Sequence, residues 1–471
     1  MSDRAVAAIL AVLTLASRIP FAPKTLWAWD SVLYARALEQ GFHVGADLAD
    51  QRPHPPGYVF YVALSSVFRV LTRDSNAALV VLSILASSLT AAAVYLLCRR
   101  YAGRELSITV ALGAACAPLV WTYGEVAMPY ALLGLLSIVL AVSLRDGRAR
   151  PWPATLVASA CLGLAAGFRQ DVLLLLGPLW LWMLAARSWR ERVMCAGALG
   201  VAALVWFVPS ALLSGGTAAY LASLGGQAGR VSELSPAAGG DALLRNTLLT
   251  IYALWWGLVG FALLLVAAIV ARLLSKRRLS ENAAFFALWL VPAAFVYVTI
   301  HIGDPGYLMS MLPGLYVLCA VLLAPIATSA PRAAVAFVAL LLVINIGVFV
   351  ASDTPLSASA IARHDGSLAQ RIAFIRGKFP PASTTILAQS EYLTARYYLP
   401  EYRVLYFGDH PDVLSRAVRE VRITSPTTLV IFGTLTSGST ELAMPSHPGD
   451  PVFWGNVEGT ISLVAYDLEP R

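Results

Sequence analysis

Residues 77–98, AALVVLSILASSLTAAAVYLLC, contain no charged side chain, and Arg99 and Arg100 follow them directly. A helix needs about 20 mostly apolar residues to cross the hydrocarbon core of a bilayer, so this stretch predicts a transmembrane helix with a basic end. The whole chain has the same character. Of its 471 residues 58% are hydrophobic and only 13% are charged, whereas soluble domains carry about 25% charged residues. This composition excludes a soluble enzyme, a disordered chain and a nucleic-acid-binding protein.

Apolar stretches that are long enough to cross a membrane recur along the first three quarters of the chain. The eleven predicted spans lie near residues 5–22, 77–98, 106–123, 128–144, 154–168, 171–187, 194–213, 247–273, 282–300, 307–325 and 333–351. The first span could serve as a signal peptide. We expect a retained anchor instead, because many spans follow it and it has no clear cleavage site between small residues. The sequence therefore predicts a multi-pass protein of the cell membrane.

Basic residues collect in alternate loops of this scheme. The basic segments are 99–104, 145–150, 187–192, 276–278 and Arg332. Because loops rich in Lys and Arg remain on the cytoplasmic side, these loops and the N-terminus are predicted to be cytoplasmic. The opposite loops, which are predicted to be extracytoplasmic, are 23–76, 124–127, 169–171, 214–246, 301–306 and the tail after 352. The tail from Asp353 holds ten basic and twelve acidic residues, so the net charge of +7 comes from the apolar part, as this assignment requires.

Residues 55–72, PPGYVFYVALSSVFRVLT, are also apolar enough to cross the membrane. If they crossed it, every later loop would change sides and the basic segments would face outward, against the usual distribution of Lys and Arg. We therefore expect an amphipathic or re-entrant helix on the outer face. Eleven spans are the prediction and twelve are the alternative.

The tail alternates between short apolar runs and amphipathic runs, with Pro and Gly between them. It predicts helices over 367–379, 391–398 and 413–421 and strands over 384–389, 402–407, 427–432 and 459–466. This order is typical of a small α/β domain. The sequence thus divides into a membrane domain, 1–352, with outer loops 23–76 and 214–246, and an extracytoplasmic α/β domain, 353–471. The five cysteines all lie in apolar stretches, so neither a disulfide framework nor a zinc site is expected.

The most informative polar residues lie in the first outer loop. Residues 27–36, WAWDSVLYAR, place Asp30 directly after two tryptophans that are typical of a membrane interface, and residues 51–58, QRPHPPGY, form a basic turn. A carboxylate and a basic turn on one membrane face offer a base and an anion site together. The alternative is that Asp30 is only the N-cap of a helix over 31–39.

Five segments of the sequence resemble glycosyltransferases of the GT-C fold that use polyprenyl-phosphate sugars, namely the protein O-mannosyltransferase and aminoarabinose-transferase types. The segments are WDSVLYARALEQG (29–41), RPHPPGYVFYVAL (52–64), YGEVAMPY (123–130), GFRQD (167–171) and HIGDPGY (301–307). The resemblance implies an all-α polytopic membrane domain with a small C-terminal α/β domain. It also implies transfer of a sugar from a polyprenyl-phosphate donor to a glycan, lipid or protein acceptor outside the cytoplasm. No cofactor is expected, and a divalent metal is possible in such enzymes but is not indicated here.

The resemblance also assigns roles to single residues. The acid of the first loop, which is catalytic in the family, corresponds to Asp30; Ser31 stands where the mannosyltransferases have a second acid. The basic residue that binds the lipid phosphate in the aminoarabinose branch corresponds to His54, and Arg52 is expected to share its role because histidine is a weaker permanent cation. The tyrosine of the late outer loop corresponds to Tyr307.

Further candidates lie outside these matched positions, and three of them, Glu125, Arg169 and His301, have two interpretations. Glu125 is a second acid of the site or a solvated turn residue, and Arg169 is a phosphate clamp or the partner of Asp171. Arg230 and Arg245 are candidate clamps because Arg binds phosphate in a bidentate fork. His301 belongs to the site or ends a helix. Tyr34, in the first loop, is expected to contact the substrate.

Two other functions remain open from the sequence. A transporter or flippase of lipid-linked sugars is expected to show internal repeats with broken helices in matching positions. We find no such repeat, and the polar residues collect in outer loops. A catalytically inactive membrane subunit is the other alternative, since the second acid of the usual pair is missing.

Overall fold

The computed structural model describes residues 1–45, 52–233, 235–266, 281–407, 419–433 and 447–466. The chain forms two compact units. The helical unit consists of Met1–Ala22 and Tyr58–Ile361, and the sheet unit consists of Pro23–Gly57 and Ala362–Arg471. The predicted boundary at residue 352 differs from this division, because the first loop is bonded to residues of the tail and belongs to the sheet unit.

The helical unit is built from helices that follow the apolar stretches of the sequence. They are α1 (Asp3–Arg18), α3 (Val59–Thr72), α4 (Ser75–Cys98), α5 (Arg104–Cys116), α6 (Pro118–Tyr123), α7 (Tyr130–Ala149), α8 (Trp152–Ala165), α9 (Asp171–Leu184), α10 (Trp189–Leu213), α11 (Thr217–Glu233), α12 (Ala242–Leu258), α13 (Glu281–Thr299), α14 (Leu312–Ser329) and α15 (Pro331–Ala351). Pro118 separates α5 from α6, since proline has no N–H to continue the preceding helix.

Six helices of the described part are long and apolar enough to cross a membrane. They run over Asp3–Phe21, Ser75–Cys98, Tyr130–Ala149, Trp189–Leu213, Asn282–Thr299 and Pro331–Ala351. A seventh span is possible if Ala242–Leu258 and Gly260–Val266, which meet at 107°, form one broken crossing. Four shorter apolar helices are Val59–Thr72, Trp152–Ala165, Asp171–Leu184 and Leu312–Pro325. The chain is thus a multi-pass membrane protein, and the number of eleven spans stays a prediction.

Basic segments that were predicted to share one side of the membrane are bonded to each other in the helical unit. The contacts are Asp3–Arg99 at 3.2 Å, Asp3–Arg104 at 3.4 Å, Arg100–Asp146 at 2.7 Å and Arg187 Nη2 to the carbonyl oxygen of Gly147 at 2.6 Å. The ends of α4, α7 and α9 and the start of α1 therefore meet. The fourth predicted basic segment, 276–278, and residues 267–273 of the predicted span 247–273 lie outside the described residues.

The ambiguous segment 55–72 contains α3, whose 14 residues make it about 21 Å long, less than the roughly 30 Å of a bilayer core. Its first turn is bonded to the turn before α9, because Phe60 N–H donates to the carbonyl oxygen of Gly167 at 3.0 Å. The helix that follows, α4, starts near the beginning of α7, where Ser83 Oγ donates to the carbonyl oxygen of Met128 at 3.1 Å. Both ends of α3 therefore lie at the end of the unit opposite to the basic segments, which favours the helix that does not cross.

The sheet unit contains a six-stranded mixed sheet with helices before and between its strands. Its elements are α2 (Trp29–Gln40), α16 (Ala358–Lys378), β1 (Thr384–Ala388), α17 (Tyr392–Tyr398), β2 (Arg403–Phe407), β3 (Arg419–Thr424), β4 (Thr428–Phe432), β5 (Phe453–Asn456) and β6 (Thr460–Tyr466). The strand order is β3-β6-β2-β1-β4-β5. The central strand β1 is parallel to β2 and β4. Strand β5 pairs antiparallel with β4, and β6 pairs antiparallel with both β2 and β3. The α/β tail that the sequence predicted is confirmed.

One predicted element of the tail is wrong at its C-terminal end. The helix expected over 413–421 falls partly on residues outside the described ones, and its last residues belong to β3, which pairs antiparallel with β6. Val421 and Ile423 are buried while Arg422 between them is exposed. This alternation with a period of two is that of a strand with one buried face. Strand β5 was not predicted from the sequence.

Candidate functional site

Asp30 lies in the first turn of α2, which begins at Trp29. Ala28 occupies the N-cap position, and its N–H donates to Ser31 Oγ at 3.2 Å. The N-cap interpretation of Asp30 is therefore wrong. The side chain of Asp30 is 28% exposed, and its position at the positive end of the helix dipole favours the charged carboxylate.

His54 faces Asp30 from the Pro-rich turn of the same unit. The distance from His54 Nε2 to Asp30 Oδ1 is 3.4 Å. The other ring nitrogen, Nδ1, lies 2.8 Å from the carbonyl oxygen of Pro55, which can only accept a hydrogen bond. Both nitrogens thus face oxygen acceptors, an arrangement that the doubly protonated, positively charged ring satisfies. The structure therefore joins the predicted base and the predicted phosphate-binding cation into one pair.

The turn that carries His54 is held in place by its neighbours. Arg52 Nη1 donates to the carbonyl oxygen of Gly41, just after α2, at 2.9 Å. Gly57 has a φ of +90°, and a Cβ atom there would lie 2.3 Å from Val44 Cγ2. Only glycine fits that position, both for the backbone angle and for the space. Tyr34, which was expected to contact the substrate, is 2% exposed and belongs to the packing of α2.

Arg169 organises a second cluster, which lies within the helical unit. Its side chain is buried, and it binds Asp171 through Nη2 at 2.8 Å and through Nε at 3.2 Å from both carboxylate oxygens. The guanidinium carbon also lies over three tyrosine rings, at 5.2 Å from Tyr58, 5.1 Å from Tyr130 and 5.0 Å from Tyr307. We call Tyr58, Tyr130, Arg169, Asp171 and Tyr307 the tyrosine cluster.

The tyrosine cluster joins four segments that were singled out from the sequence, one of which, 167–171, supplies Arg169 and Asp171. Tyr58 follows the Pro-rich turn in a left-handed conformation with a φ of 53°, Tyr130 starts α7, and Tyr307 lies in the 3-10 turn Pro305–Ser310. Gly306 precedes Tyr307, and a Cβ atom there would lie 2.3 Å from the Tyr130 ring. A larger side chain at position 306 would therefore collide with the Tyr130 ring. The roles of Tyr58 and Tyr130 were missed, although both residues stood in the quoted segments.

Two residues of the segment 301–306 lie beside this cluster. His301 approaches the Tyr307 ring at 6.3 Å between ring centroids, and burial together with the positive charge of Arg245 lowers the pKa of His301 below its usual value. Its Nδ1 atom is buried without a hydrogen-bond partner in the described part of the chain. Asp304 Oδ1 accepts from the N–H of Gly306 at 2.7 Å and so caps the 3-10 turn. His301 is thus a neutral neighbour of Tyr307.

Glu125 lies in the turn between α6 and α7, and its side chain is buried in the helical unit. Glu125 and Arg18, which lies at the end of α1, are both 0% exposed. The positive charge of Arg18 attracts the carboxylate of Glu125. The guanidinium of Arg18 lies 4.6 Å from the centroid of the Trp121 ring. Neither carboxylate oxygen of Glu125 has a hydrogen-bond partner among the residues that the structure describes. The solvated-turn interpretation of Glu125 is therefore wrong.

The remaining candidates lie elsewhere in the helical unit. Arg230 belongs to α11, and Arg245 lies in the first turn of α12. The 214–246 segment, which was predicted as an outer loop, is thus largely helical. Over the described ranges, no three His, Cys, Asp or Glu side chains come together in a way that could hold a metal ion.

Comparison with known proteins finds a family model and solved structures that are similar to this chain. Residues 53–212 match the family model described as dolichyl-phosphate-mannose-protein mannosyltransferase. Two structures of ArnT from Cupriavidus metallidurans are similar to the chain: one is bound to undecaprenyl phosphate, with 13% identity and a TM-score of 0.57, and one is in the apo state, with 15% identity and a TM-score of 0.58. Each comparison covers 96% of this chain and 97% of the other.

A third structure, the Archaeoglobus fulgidus oligosaccharyltransferase in complex with Zn and sulfate, is 14% identical with a TM-score of 0.50. The comparison covers 86% of this chain and 62% of the oligosaccharyltransferase chain. A search of curated protein sequences gives no match. At these identities the likeness establishes the fold, and it confirms the fold class that the sequence predicted.

Proposed function

We propose that this multi-pass membrane protein, which has the GT-C fold, transfers a sugar from a polyprenyl-phosphate donor to a hydroxyl group of an acceptor on the extracytoplasmic face. The match of residues 53–212 to a mannosyltransferase family model and the likeness to a structure bound to undecaprenyl phosphate support this activity. The observation that carries the proposal is the pair of Asp30 and His54, with a carboxylate oxygen and a ring nitrogen 3.4 Å apart.

The transfer reaction requires two groups from the protein, a general base and a cation. The bond between the anomeric carbon and the phosphate oxygen breaks, the acceptor oxygen bonds to that carbon, and the acceptor loses a proton. A carboxylate takes that proton as general base. A fixed positive charge stabilises the negative charge that develops on the departing lipid phosphate. Asp30 and His54 supply these two groups, and no activated nucleotide is required because the phosphate already leaves readily.

The pairing of Asp30 with His54 also suggests how the donor prepares the base. Without a donor, the charged His54 ring faces the Asp30 carboxylate. A lipid phosphate that accepts from His54 Nε2 draws the ring away from the Asp30 carboxylate, which then takes the proton of the acceptor hydroxyl. The side chains of Asp30 and His54 are 28% and 33% exposed, so both are reachable from solvent.

Arg52 is proposed to assist at the phosphate. One of its N–H groups is held by the carbonyl oxygen of Gly41. The guanidinium carries five N–H donors in a planar fork that matches phosphate oxygens, so the others remain able to bind it. Arg169, by contrast, is occupied by Asp171 and by three tyrosine rings, and we assign it a structural role.

The two ends of the helical unit support the proposed sidedness of the reaction. The basic segments around Arg99, Asp146 and Arg187 are bonded to each other at one end. The tyrosine cluster lies at the opposite ends of α7 and α9. Because basic loops stay in the cytoplasm, the end that carries the tyrosine cluster is proposed to be extracytoplasmic.

The experiment that tests this function separates transfer from transport. The purified protein is placed in liposomes with a panel of radiolabelled undecaprenyl-phosphate sugars and a lipid or glycan acceptor extract. We expect the label to move to the acceptor with release of undecaprenyl phosphate. Movement of intact labelled donor between leaflets without such release would contradict the proposal and indicate a flippase.

A further inference from the structure

The segment that leads into the Asp30 helix has no regular structure of its own. Residues 24–27 lie between the 3-10 turn Ile19–Phe21 and the start of α2. Backbone N–H groups of such a segment need partners outside it. In the sheet unit these partners come from the C-terminal part of the chain, more than 330 residues away.

Asp365, on α16, provides three of the contacts with this segment. Its Oδ2 atom accepts from the N–H of Lys24 at 2.7 Å, and its Oδ1 atom accepts from the N–H of Thr25 at 3.1 Å and from the Thr25 hydroxyl at 2.5 Å. Burial acts to raise the pKa of Asp365, but the hydrogen bonds from His364 and Thr25 and from the N–H groups of Lys24 and Thr25 outweigh it and leave that pKa lowered. The carboxylate is therefore charged when it binds the segment.

Other residues of the tail extend this clamp along α2. Tyr398 Oη accepts from the N–H of Leu26 at 2.8 Å, and the Trp27 ring packs against His364 at 4.9 Å between centroids. Further along α2, Arg36 Nη2 donates to the carbonyl oxygen of Arg396 at 3.1 Å. The tail thus holds both the approach to the helix and the helix itself.

We propose that Asp365 is a positioning residue for the transfer reaction, because it fixes the segment that places Asp30. Asp30 follows Trp27 by three residues, so a shift of residues 24–27 displaces the carboxylate relative to His54. A displacement of about 1 Å costs an enzyme about a hundredfold in rate. This inference rests on the proposed function, and it gives the C-terminal domain a part in the reaction.

The test has a structural part that needs no substrate. Hydrogen exchange is measured by mass spectrometry on the full chain in detergent for Asp365→Ala, for the milder Thr25→Val and for Glu401→Ala. Glu401 is a matched control, since it is an acid of the same unit that binds Arg376 at 2.7 Å. We expect the amides of residues 24–26 to exchange about tenfold faster or more in Asp365→Ala. We expect a smaller increase in the exchange of these amides in Thr25→Val and no change in their exchange in Glu401→Ala.

The second part measures turnover with the radiolabelled undecaprenyl-phosphate sugar that the wild type transfers. We expect a lower kcat with an unchanged KM for the donor in Asp365→Ala, a smaller loss in Thr25→Val and no loss in Glu401→Ala. Unchanged exchange of residues 24–26 in Asp365→Ala overturns the inference, as does faster exchange with an unchanged kcat. If Asp365→Ala raises exchange throughout the sheet, Thr25→Val decides by the same criteria. If the wild type transfers no sugar, the proposed function fails, and the exchange data alone decide whether the segment is held.

Discussion

Arg169 and Asp171 form a two-point ion pair within the helical unit, with Nη2 2.8 Å from Oδ2 and Nε 3.2 Å from both carboxylate oxygens. The Arg169 side chain is 4% exposed and that of Asp171 is 28% exposed. A buried guanidinium that already binds a carboxylate in a fork has few donors left for a phosphate. The pair therefore explains how Tyr58, Tyr130 and Tyr307 are held around one cation.

Replacement of Arg169 by Met is expected to destabilise the helical unit. Removing one partner of a buried ion pair costs about 3–5 kcal/mol, and we expect the lower end because Asp171 is partly solvated. The three tyrosine rings also lose their cation. Thermal unfolding in detergent measures the effect. The double variant Arg169→Met, Asp171→Leu is the control, and it should recover part of the loss because no unpaired charge remains. Wild-type stability of Arg169→Met would contradict this account of the cluster.

The Asp365 clamp is expected to depend on acid pH. The pKa of Asp365 is lowered from its usual 3.8, so its contribution to stability is fully present above that value and is lost as the pH falls through the lowered value. The unfolding temperatures of wild type and Asp365→Asn should therefore differ at pH 6 and converge toward pH 3. Because both proteins carry the same other carboxylates, the difference between their unfolding temperatures reports on Asp365 alone. A difference that stays constant with pH would show that the charge of Asp365 contributes nothing.

Hydropathy predicted the helices of the membrane part well, because every crossing needs a long apolar run whatever it packs against. Hydropathy alone does not show where an apolar stretch is divided into two helices. Residues 106–123 read as one span, yet α5 ends at Cys116 and α6 begins at Pro118. In the tail, β1, β2 and β4 were predicted because they are short apolar runs, whereas β3 carries Arg419, Glu420 and Arg422 on a half-buried strand.

The sequence predicted which residues belong to the candidate site, but it did not predict most of the contacts between them. Asp30 and His54 were named separately, and the structure joins them. The tyrosine cluster could not be foreseen, since Tyr58 and Tyr307 are separated by about 250 residues and meet only through the turn that carries Arg169. The role of Asp365 was missed for the same reason: its partners Lys24 and Thr25 lie 340 positions or more away in the sequence.

The sidedness of the membrane part is tested with single cysteines. Gly103 is exposed beside the basic end of α4, and Gln370 is exposed on α16. In a Cys161→Ala background, which removes the exposed native cysteine, we expect Gln370→Cys to react with a membrane-impermeant maleimide on intact cells. Gly103→Cys should react only after permeabilisation. Reaction of Gly103→Cys on intact cells would reverse the proposed orientation.

His54 is expected to bind the lipid phosphate. Loss of a charge-assisted hydrogen bond costs about 1.5–3 kcal/mol, so His54→Ala should weaken use of the polyprenyl-phosphate donor about tenfold to a hundredfold. His54→Lys should keep most of the wild-type use of the donor, since a cation remains at position 54. Arg52→Ala should have a smaller effect than His54→Ala, and Arg422→Ala, an exposed basic residue on β3, serves as control. Equal donor KM values for His54→Ala and wild type would remove His54 from the site.

The central claim is that Asp30 takes the proton of the acceptor hydroxyl, and Asp30→Asn tests it most directly. Asparagine keeps the shape and an acceptor oxygen but is no base. The control is Asp74→Asn, because Asp74 caps α4 by accepting from the N–H of Ala77 at 2.7 Å, a role that asparagine fills as well. The measurement is single-turnover transfer of a radiolabelled sugar from the undecaprenyl-phosphate donor. We expect Asp30→Asn to lower the rate by about 10²–10⁴-fold with little change in donor binding, and Asp74→Asn to match wild type. Transfer by Asp30→Asn at the wild-type rate would contradict the account.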